Sequence, residues 1–284
     1  MQIFTDARCL TYEAPGHPER VFRVRETDRL LRERYPDWEW PRFGSAVDED
    51  LLRAHSPAHL RRLEVPEDFD GDTAYHDGIS GIARLACGGA LAATKAALSG
   101  EKAFSLMRPP GHHAERERAM GFCYLNHVAV CALWALAKGI GKVAVWDFDA
   151  HHGNGTEAIL KGVKGALYVS AHQVPCYPGT GLASEGNCLN FPVAPLTPAE
   201  SHMSILEDSW KALLDFDPEL VLVSAGFDAY EHDPITQMSL RMNDFRTLGH
   251  WLAASGTPAA ALLEGGYSED LPKLVEAFLA GWNE

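Results

Sequence analysis

The sequence predicts an α/β protein built on a parallel sheet with helices on both faces. Short runs rich in β-branched and apolar residues alternate with longer stretches of helical spacing through the second two thirds of the chain, the pattern of parallel strands joined by crossover helices. The 284 residues are 46% hydrophobic and 23% charged, a balance that buries a sizeable core and excludes disordered and collagen-like chains. No Gly/Ser-rich or Pro-rich linker, internal repeat or low-complexity tract divides them, so residues 1–284 are expected to form a single domain.

In chain order, the run Gln2 to Thr5 (QIFT) opens the sheet, and Glu19 to Tyr35 and Pro57 to Leu63 have helical spacing. The acidic stretch Glu64 to Asp72 belongs in a surface loop. Ser80 to Leu98 is the next helix, Ala103 to Met107 (AFSLM) the next strand, and Tyr124 to Lys138 the helix after it. Strands then follow at Lys142 to Phe148 (KVAVWDF), Ala166 to Ser170 (ALYVS), Leu220 to Ser224 (LVLVS) and Ala259 to Leu263 (AAALL). The remaining helices are Ala199 to Phe216, Asn243 to Ala254 and Leu271 to Trp282.

Acidic residues outnumber basic ones 39 to 25, for a net charge of −14 with histidine neutral. Such a chain is a poor partner for nucleic acid, which is bound through basic surface that displaces counterions, and it favours cationic substrates. No apolar run reaches the roughly 18 residues that cross a bilayer, and the start MQIFTDARCL has neither a basic nor an apolar signal region. No membrane association is therefore expected. The cysteines Cys9, Cys87, Cys123, Cys131, Cys176 and Cys188 are scattered without a CxxC pair, which points to reduced thiols in a cytoplasmic protein rather than a zinc knuckle or a disulfide framework. The sequence assigns no oligomeric state.

In open α/β sheets the ligand site gathers at the carboxyl ends of the strands. Here those ends read RPPGHH (Arg108–His113), DFDAHHGNG (Asp147–Gly155), SAH (Ser170–His172), SAGFD (Ser224–Asp228) and LEGGY (Leu263–Tyr267). Asp149 and His151 can point into one crevice once their strand stops alternating, and Asp228 at another strand end can complete a three-ligand metal site with one position open for water. Zinc suits such donors, although two carboxylates and one imidazole also hold iron(II), cobalt or manganese. A lone Asp at such a place reads as a helix or turn cap. It is the combination of strand ends that points to a metal.

His112 and His113 follow a Pro-Pro-Gly turn that fixes their backbone, and paired imidazoles beside a metal suit general acid and general base work near neutral pH. Outside this setting a His-His pair reads as surface loop. Tyr267, after two glycines, can reach toward a developing oxyanion, or else pack at a helix start. Phe122 and Tyr177 follow loops containing glycine or proline and can wall a narrow tunnel, the alternative being ordinary core packing.

These motifs, in this order, resemble the zinc-dependent histone deacetylase family and its bacterial relatives, which share the arginase–deacetylase fold. The resemblance runs from about His17 to Tyr267 and also includes GFCYLN (Gly121–Asn126) and PGTG (Pro178–Gly181). It implies a single-domain fold with a mostly parallel central sheet, zinc on Asp149, His151 and Asp228, His112 and His113 as the tandem catalytic pair, and Tyr267 polarising the amide carbonyl. It further implies Phe122 and Tyr177 as walls of an acyl-lysine tunnel, Gly121 and Gly265 as substrate contacts, Ile235 at the tunnel mouth, and Asp147 as the carboxylate behind His112. The same resemblance implies a structural potassium near Asp147, Asp149, His151, Ser170 and Ala171. Arg23 looks like the arginine near an internal cavity, although Val21 stands where proline is usual.

Asn154 occupies the position of a second buried Asp in class I members, similar to the class II pattern, so His113 lacks a charged partner there. His127 follows GFCYLN where Asn or Asp is common, and no role is assigned to it. A binuclear, arginase-like site lacks its ligands, because Gly153 follows His152 and Ala229 follows the single Asp228.

The activity these features imply is metal-dependent hydrolysis of an acetyl or other acyl group from a lysine side chain of a protein or peptide. An acetylpolyamine amidohydrolase is the alternative, since EHDPI (Glu231–Ile235) looks like that subgroup. Against it, no clear insertion is present to build a dimer-closed channel, and Ile235 stands where polyamine-selective members place a Glu. A noncatalytic acyl-lysine binding protein would be expected to have lost Tyr267 or a metal ligand, and every such position is filled.

Overall fold

Seven strands form one parallel sheet in the computed structural model, which describes residues 1–284. They are β1 (Gln2–Phe4), β2 (Ala103–Ser105), β3 (Val143–Asp147), β4 (Ala166–Gln173), β5 (Cys188–Val193), β6 (Leu220–Ala225) and β7 (Ala259–Leu263), in the spatial order β1-β2-β7-β6-β3-β4-β5. From β3 the chain builds outward through β4 and β5, then returns to lay β6 against the other side of β3 and continues to β7. The order therefore reverses between β3 and β6, and the carboxyl ends of these two strands open the crevice where such sheets bind ligands. Register is fixed there, with Asp147 opposite Ser170 of β4 and Ser224 of β6.

The helices are α1 (Phe22–Arg34), α2 (Asp48–Leu51), α3 (Pro57–Arg62), α4 (Ile79–Leu98), α5 (His127–Ala137), α6 (Asn154–Leu160), α7 (Ala199–Asp215), α8 (Met242–Ser255) and α9 (Leu271–Asn283). Helix α4 covers β1, β2 and β7, α5 packs on β3 and β6, α7 lies against β3, β4 and β5, and α8 and α1 both pack on α9. A single cluster of 77 buried hydrophobic residues links these layers. Strand β3 is buried along its whole length, so it reads as a continuous apolar run rather than an alternation. Its Trp146 packs against Trp210 of α7 at 4.7 Å and Phe148 at 5.2 Å between ring centroids. Burial of such a side chain contributes about 1.5–3 kcal/mol. No helix is long and apolar enough to cross a membrane.

Every predicted strand and helix is present, β7 with the expected bounds and the others with shifted ends. The helix expected from Glu19 starts at Phe22, because Glu19 is a buried anchor for Arg108. The one expected from Tyr124 starts at His127, where the Asn126 side chain accepts from the Ala129 N–H at 3.0 Å and caps it. Strand β5, helix α6, the single-turn helix α2, too short to show helical spacing, and a 3-10 turn at Ala7–Leu10 are additions. Strand β5 contains Asn190 and Pro192, which read as loop, yet it lies at the sheet edge where proline is tolerated. Helix α6 opens Asn-Gly, which reads as a turn. Gly155 is needed there because a Cβ would lie 2.2 Å from the Ala114 carbonyl oxygen. All six cysteines are unpaired, and only Cys176 is not buried.

Candidate active site

Asp149 and His151 leave the end of β3, and Asp228 follows β6, so the sheet's own reversal brings the three together. Their donor atoms lie within 4.8 Å of one another. His151 Nδ1 is 2.8 Å from Asp228 Oδ2 and 3.2 Å from Asp149 Oδ1, so one imidazole nitrogen faces both carboxylates. The Ala150 N–H donates to Asp228 Oδ1 at 2.8 Å and the Gly265 N–H to Asp149 Oδ2 at 2.7 Å, which fixes the remaining oxygens. Glycine is required behind the cluster. A Cβ on Gly265 would lie 2.2 Å from Asp228 Oδ2, and one on Gly226 2.1 Å from Asp149 Oδ2. Gly265, expected to contact substrate, thus sits behind the acidic pair.

All three residues are buried. Burial pushes the Asp228 carboxyl up and the facing Asp149 charge pushes it further. Burial also opposes charge on His151, but Asp228 and Asp149 outweigh it and raise its pKa. Two crowded carboxylates around one nitrogen are what a divalent cation relieves, and two oxygens with one imidazole are an ordinary zinc donor set. The residues fit a metal.

The tandem histidines are held from below. Arg108 forms a two-pronged bond to Glu19, with Nε at 2.7 Å from Oε1 and Nη2 at 2.6 Å from Oε2, and also donates to the Tyr12 carbonyl at 2.8 Å. The Gly111 and His112 N–H groups both donate to Glu264 Oε2, at 2.6 and 3.1 Å. His112 Nδ1 lies 3.1 Å from Asp147 Oδ2, which also accepts from the Tyr168 hydroxyl at 2.9 Å. Burial opposes charge on His112, yet Asp149 and Asp147 carry its pKa up to about 10. A cation held by Asp149 would weaken that pull.

His113 behaves oppositely. Burial, then the neighbouring His112 and His151, push its pKa well below the ordinary value, so its ring is neutral. Its Nδ1 lies 2.9 Å from Asn154 Oδ1, and the Asn154 amide nitrogen donates to Glu115 Oε1 at 2.9 Å, which fixes the amide's orientation. Nδ1 therefore carries the proton and Nε2 keeps a lone pair that can accept one.

A cavity of about 330 Å³ leads down to these groups and is lined by His113, His151 and Tyr267 together with Gly121, Phe122, Tyr177 and Ile235. Gly121 and Phe122 both have left-handed backbone, with φ of 57° and 68°. The strain at Phe122 is held by the Thr73 hydroxyl, which accepts its N–H at 3.0 Å. The Phe122 ring meets Tyr267 edge-on at 5.8 Å and Tyr177 meets His113 at 5.1 Å. Ile235, 37% exposed, and Tyr177, 39% exposed, stand at the open end.

Tyr267 is positioned by one carboxylate and one cation. Its N–H donates to Asp233 Oδ2 at 2.7 Å, while Asp233 Oδ1 accepts from Ile235 at 3.1 Å, so one carboxylate joins the tyrosine to the mouth. Arg23, buried, donates to the Gly266 carbonyl at 2.7 Å and to the Glu264 carbonyl, and its guanidinium lies 4.8 Å from the Tyr267 ring centre. The arginine expected beside an internal cavity is thus placed as a clamp on the Tyr267 loop. Burial raises the phenol's pKa far above its usual value, leaving it a neutral hydrogen-bond donor.

Asp147 at the end of β3 lies opposite Ser170 within β4, with Ala171 next along that strand. His127 begins α5, is buried with Nε2 unpartnered, and packs under the RPPGHH turn, its N–H nitrogen 2.9 Å from where a Gly111 Cβ would be. Glu264, Asp233, Glu19 and Thr73 were not singled out in the sequence. The first three sit inside LEGGY, EHDPI and the segment after His17-Pro18, as acidic residues in apolar or proline-rich settings; Thr73 carries no such signal.

The histone deacetylase domain model matches residues 17–282. A probable deacetylase of Archaeoglobus fulgidus is 36% identical over 94% of this chain and 80% of its own length. The acetylpolyamine amidohydrolase of Mycoplana ramosa is 32% identical over 88% of this chain and 78% of its own. The crystal structure of the HDA15 HD domain superposes with a TM-score of 0.93 at 30% identity, covering 100% of this chain and 91% of that one. The seven-stranded parallel sheet is thus an arginase–deacetylase fold, and the chain belongs to the histone deacetylase family of metal-dependent amidohydrolases.

Proposed function

We propose that the chain removes acetyl or another acyl group from lysine side chains of proteins or peptides. The observation that carries this reading is one cavity with aromatic walls that is lined by His113, His151 and the neutral phenol of Tyr267. Phe122 and Tyr177 take the apolar methylenes of the acylated amine and keep water from its sides. Asp149, His151 and Asp228 would hold the metal, zinc by the donor set, which when bound polarises a carbonyl and makes water more acidic. His113, neutral and with Nε2 free, takes the proton of the attacking water. Tyr267 donates its hydroxyl hydrogen to the oxygen on which charge develops. His112, held as the donor to Asp147, stands beside His113, and the pair returns a proton to the leaving amine. Asp147, Asp149, His151, Ser170 and Ala171 would hold a structural potassium behind this centre.

Acetylpolyamine hydrolysis is the second reading. It is favoured by the similarity to the Mycoplana enzyme and by Asp72, an acidic residue lining the cavity. Purified protein of defined metal content should be given acetyl-lysine peptides, longer-acyl peptides and N-acetylputrescine. The reading expects higher kcat/KM on the peptides, and a tenfold or greater preference for the polyamine would replace it with the second.

A further inference from the structure

We propose that a groove opening off the mouth of the acyl-amine cavity binds the peptide segment on one side of the acylated lysine, selecting an apolar residue next to the lysine and a carboxylate beyond it. The inference rests on the lysine-deacylase reading and extends it to sequence preference.

The groove has a volume of about 590 Å³ and shares His17, Pro18, Ile235 and Tyr267 with the 330 Å³ cavity, so a ligand can occupy both without leaving the protein surface. Both volumes fall in the range of small-ligand sites, roughly 300–1,000 Å³. Beyond the shared residues its walls are Ala14, Pro15, Gly16 and Pro234. Proline, alanine and glycine lose no rotamer entropy when covered, so the groove meets an apolar side chain at little ordering cost.

Its charged residues are Glu13 and Arg20. Glu13 is engaged inward, accepting the Val21 N–H at 3.1 Å. Arg20 lies 4.8 Å from the Phe22 ring centre and pairs with Glu269, whose side chain is 70% exposed. An exposed pair of this kind contributes little, so the guanidinium can exchange Glu269 for a ligand carboxylate with two parallel bonds. Asp72 lines the cavity but not the groove. The groove thus offers a guanidinium beside a Glu13 carboxylate turned to the Val21 N–H, while the cavity offers Asp72.

The test compares kcat/KM for a capped single acetyl-lysine with that for acetyl-lysine peptides extended by Leu-Glu or Leu-Lys on either side. One Leu-Glu peptide should exceed the single residue by about tenfold, the equivalent of burying one aliphatic side chain, and the Leu-Lys counterpart should lose part of that gain. Ala14→Trp should fill the groove and bring the ratio of extended to single substrate near one, with the single residue turned over as before. Arg20→Gln should abolish only the Glu-over-Lys preference. Equal ratios in the wild type and both variants, with the single residue turned over, would overturn the groove alone. No turnover of any acetyl-lysine substrate would overturn the underlying reading and the groove with it.

Discussion

Tyr267 and Asn154 are the residues whose chemistry is most open to single substitutions. The Tyr267 hydroxyl is the one neutral donor on the cavity floor, and loss of one oxyanion donor costs about 10²–10³ in kcat. Tyr267→Phe should therefore keep fold and metal content while turnover falls by that factor; kcat within about threefold of wild type would remove the tyrosine from the reaction. Asn154 accepts from His113 without bringing charge, so the imidazolium is less stabilised than it would be beside a carboxylate. Asn154→Asp should raise the His113 pKa and move the acidic limb of the kcat/KM profile to higher pH. Because Glu115 lies 2.9 Å from the Asn154 amide nitrogen, the new carboxylate would face a like charge, and the shift should be clearest with Glu115→Gln in the same protein. An unmoved limb in that double variant contradicts the contact. At this scale the sequence was informative where a side chain's chemistry is itself unusual for its position, as with His112, His113 and Asp228. It was silent on Thr73, whose importance lies in accepting one backbone N–H from a residue far along the chain.

The elements owe their placement to buried polar anchors as much as to apolar periodicity. The segment before α1 is tied to the end of β2 through Glu19 and Arg108, both buried. Burial opposes ionisation of Glu19, but Arg108 and Arg23 overcome it and hold the carboxyl down to about 2. A folded-state value below the unfolded one gives stability that is present above the ordinary carboxylate range, near 4.3, and is lost as pH falls through about 2. Without Arg108, Glu19 keeps only Arg23, at 3.2 Å, and the Tyr12 hydroxyl, at 3.0 Å, as buried partners. Arg108→Met should destabilise the fold by about 3–5 kcal/mol in urea unfolding. Arg108→Met with Glu19→Gln should recover part of it, and a single variant as stable as wild type would show the pair to be dispensable. The strands and long helices were legible because apolar runs and helical spacing are local properties. Strand β5 and helix α6 were not, since edge position excuses Pro192 and close approach to Ala114 demands Gly155, and neither is visible until the neighbours are in place.

For the whole molecule, acid sensitivity should begin near pH 6.5, well above carboxylate titration, because several histidines are buried neutral. Burial lowers His55 and His127 to about 3 and His202 to about 4. Below their ordinary value of about 6.5 the unfolded chain takes up protons that the folded chain refuses, so stability falls with falling pH, by up to about 1.4 kcal/mol per unit for each group. His202 on α7 lies far in sequence from the proposed ligands, and His202→Leu should flatten the dependence of the urea midpoint on pH between 7 and 5. An unchanged slope would show that His202 is not a buried neutral group. Whether Asp149, His151 and Asp228 hold the metal on which amide hydrolysis depends is decided by titrating zinc into chelator-treated protein while following deacetylation of an acetyl-lysine peptide. Activity should vanish on chelation, return at one equivalent of zinc, and fail to return in Asp228→Ala; full turnover in metal-free buffer, or full recovery of that variant, would contradict that assignment.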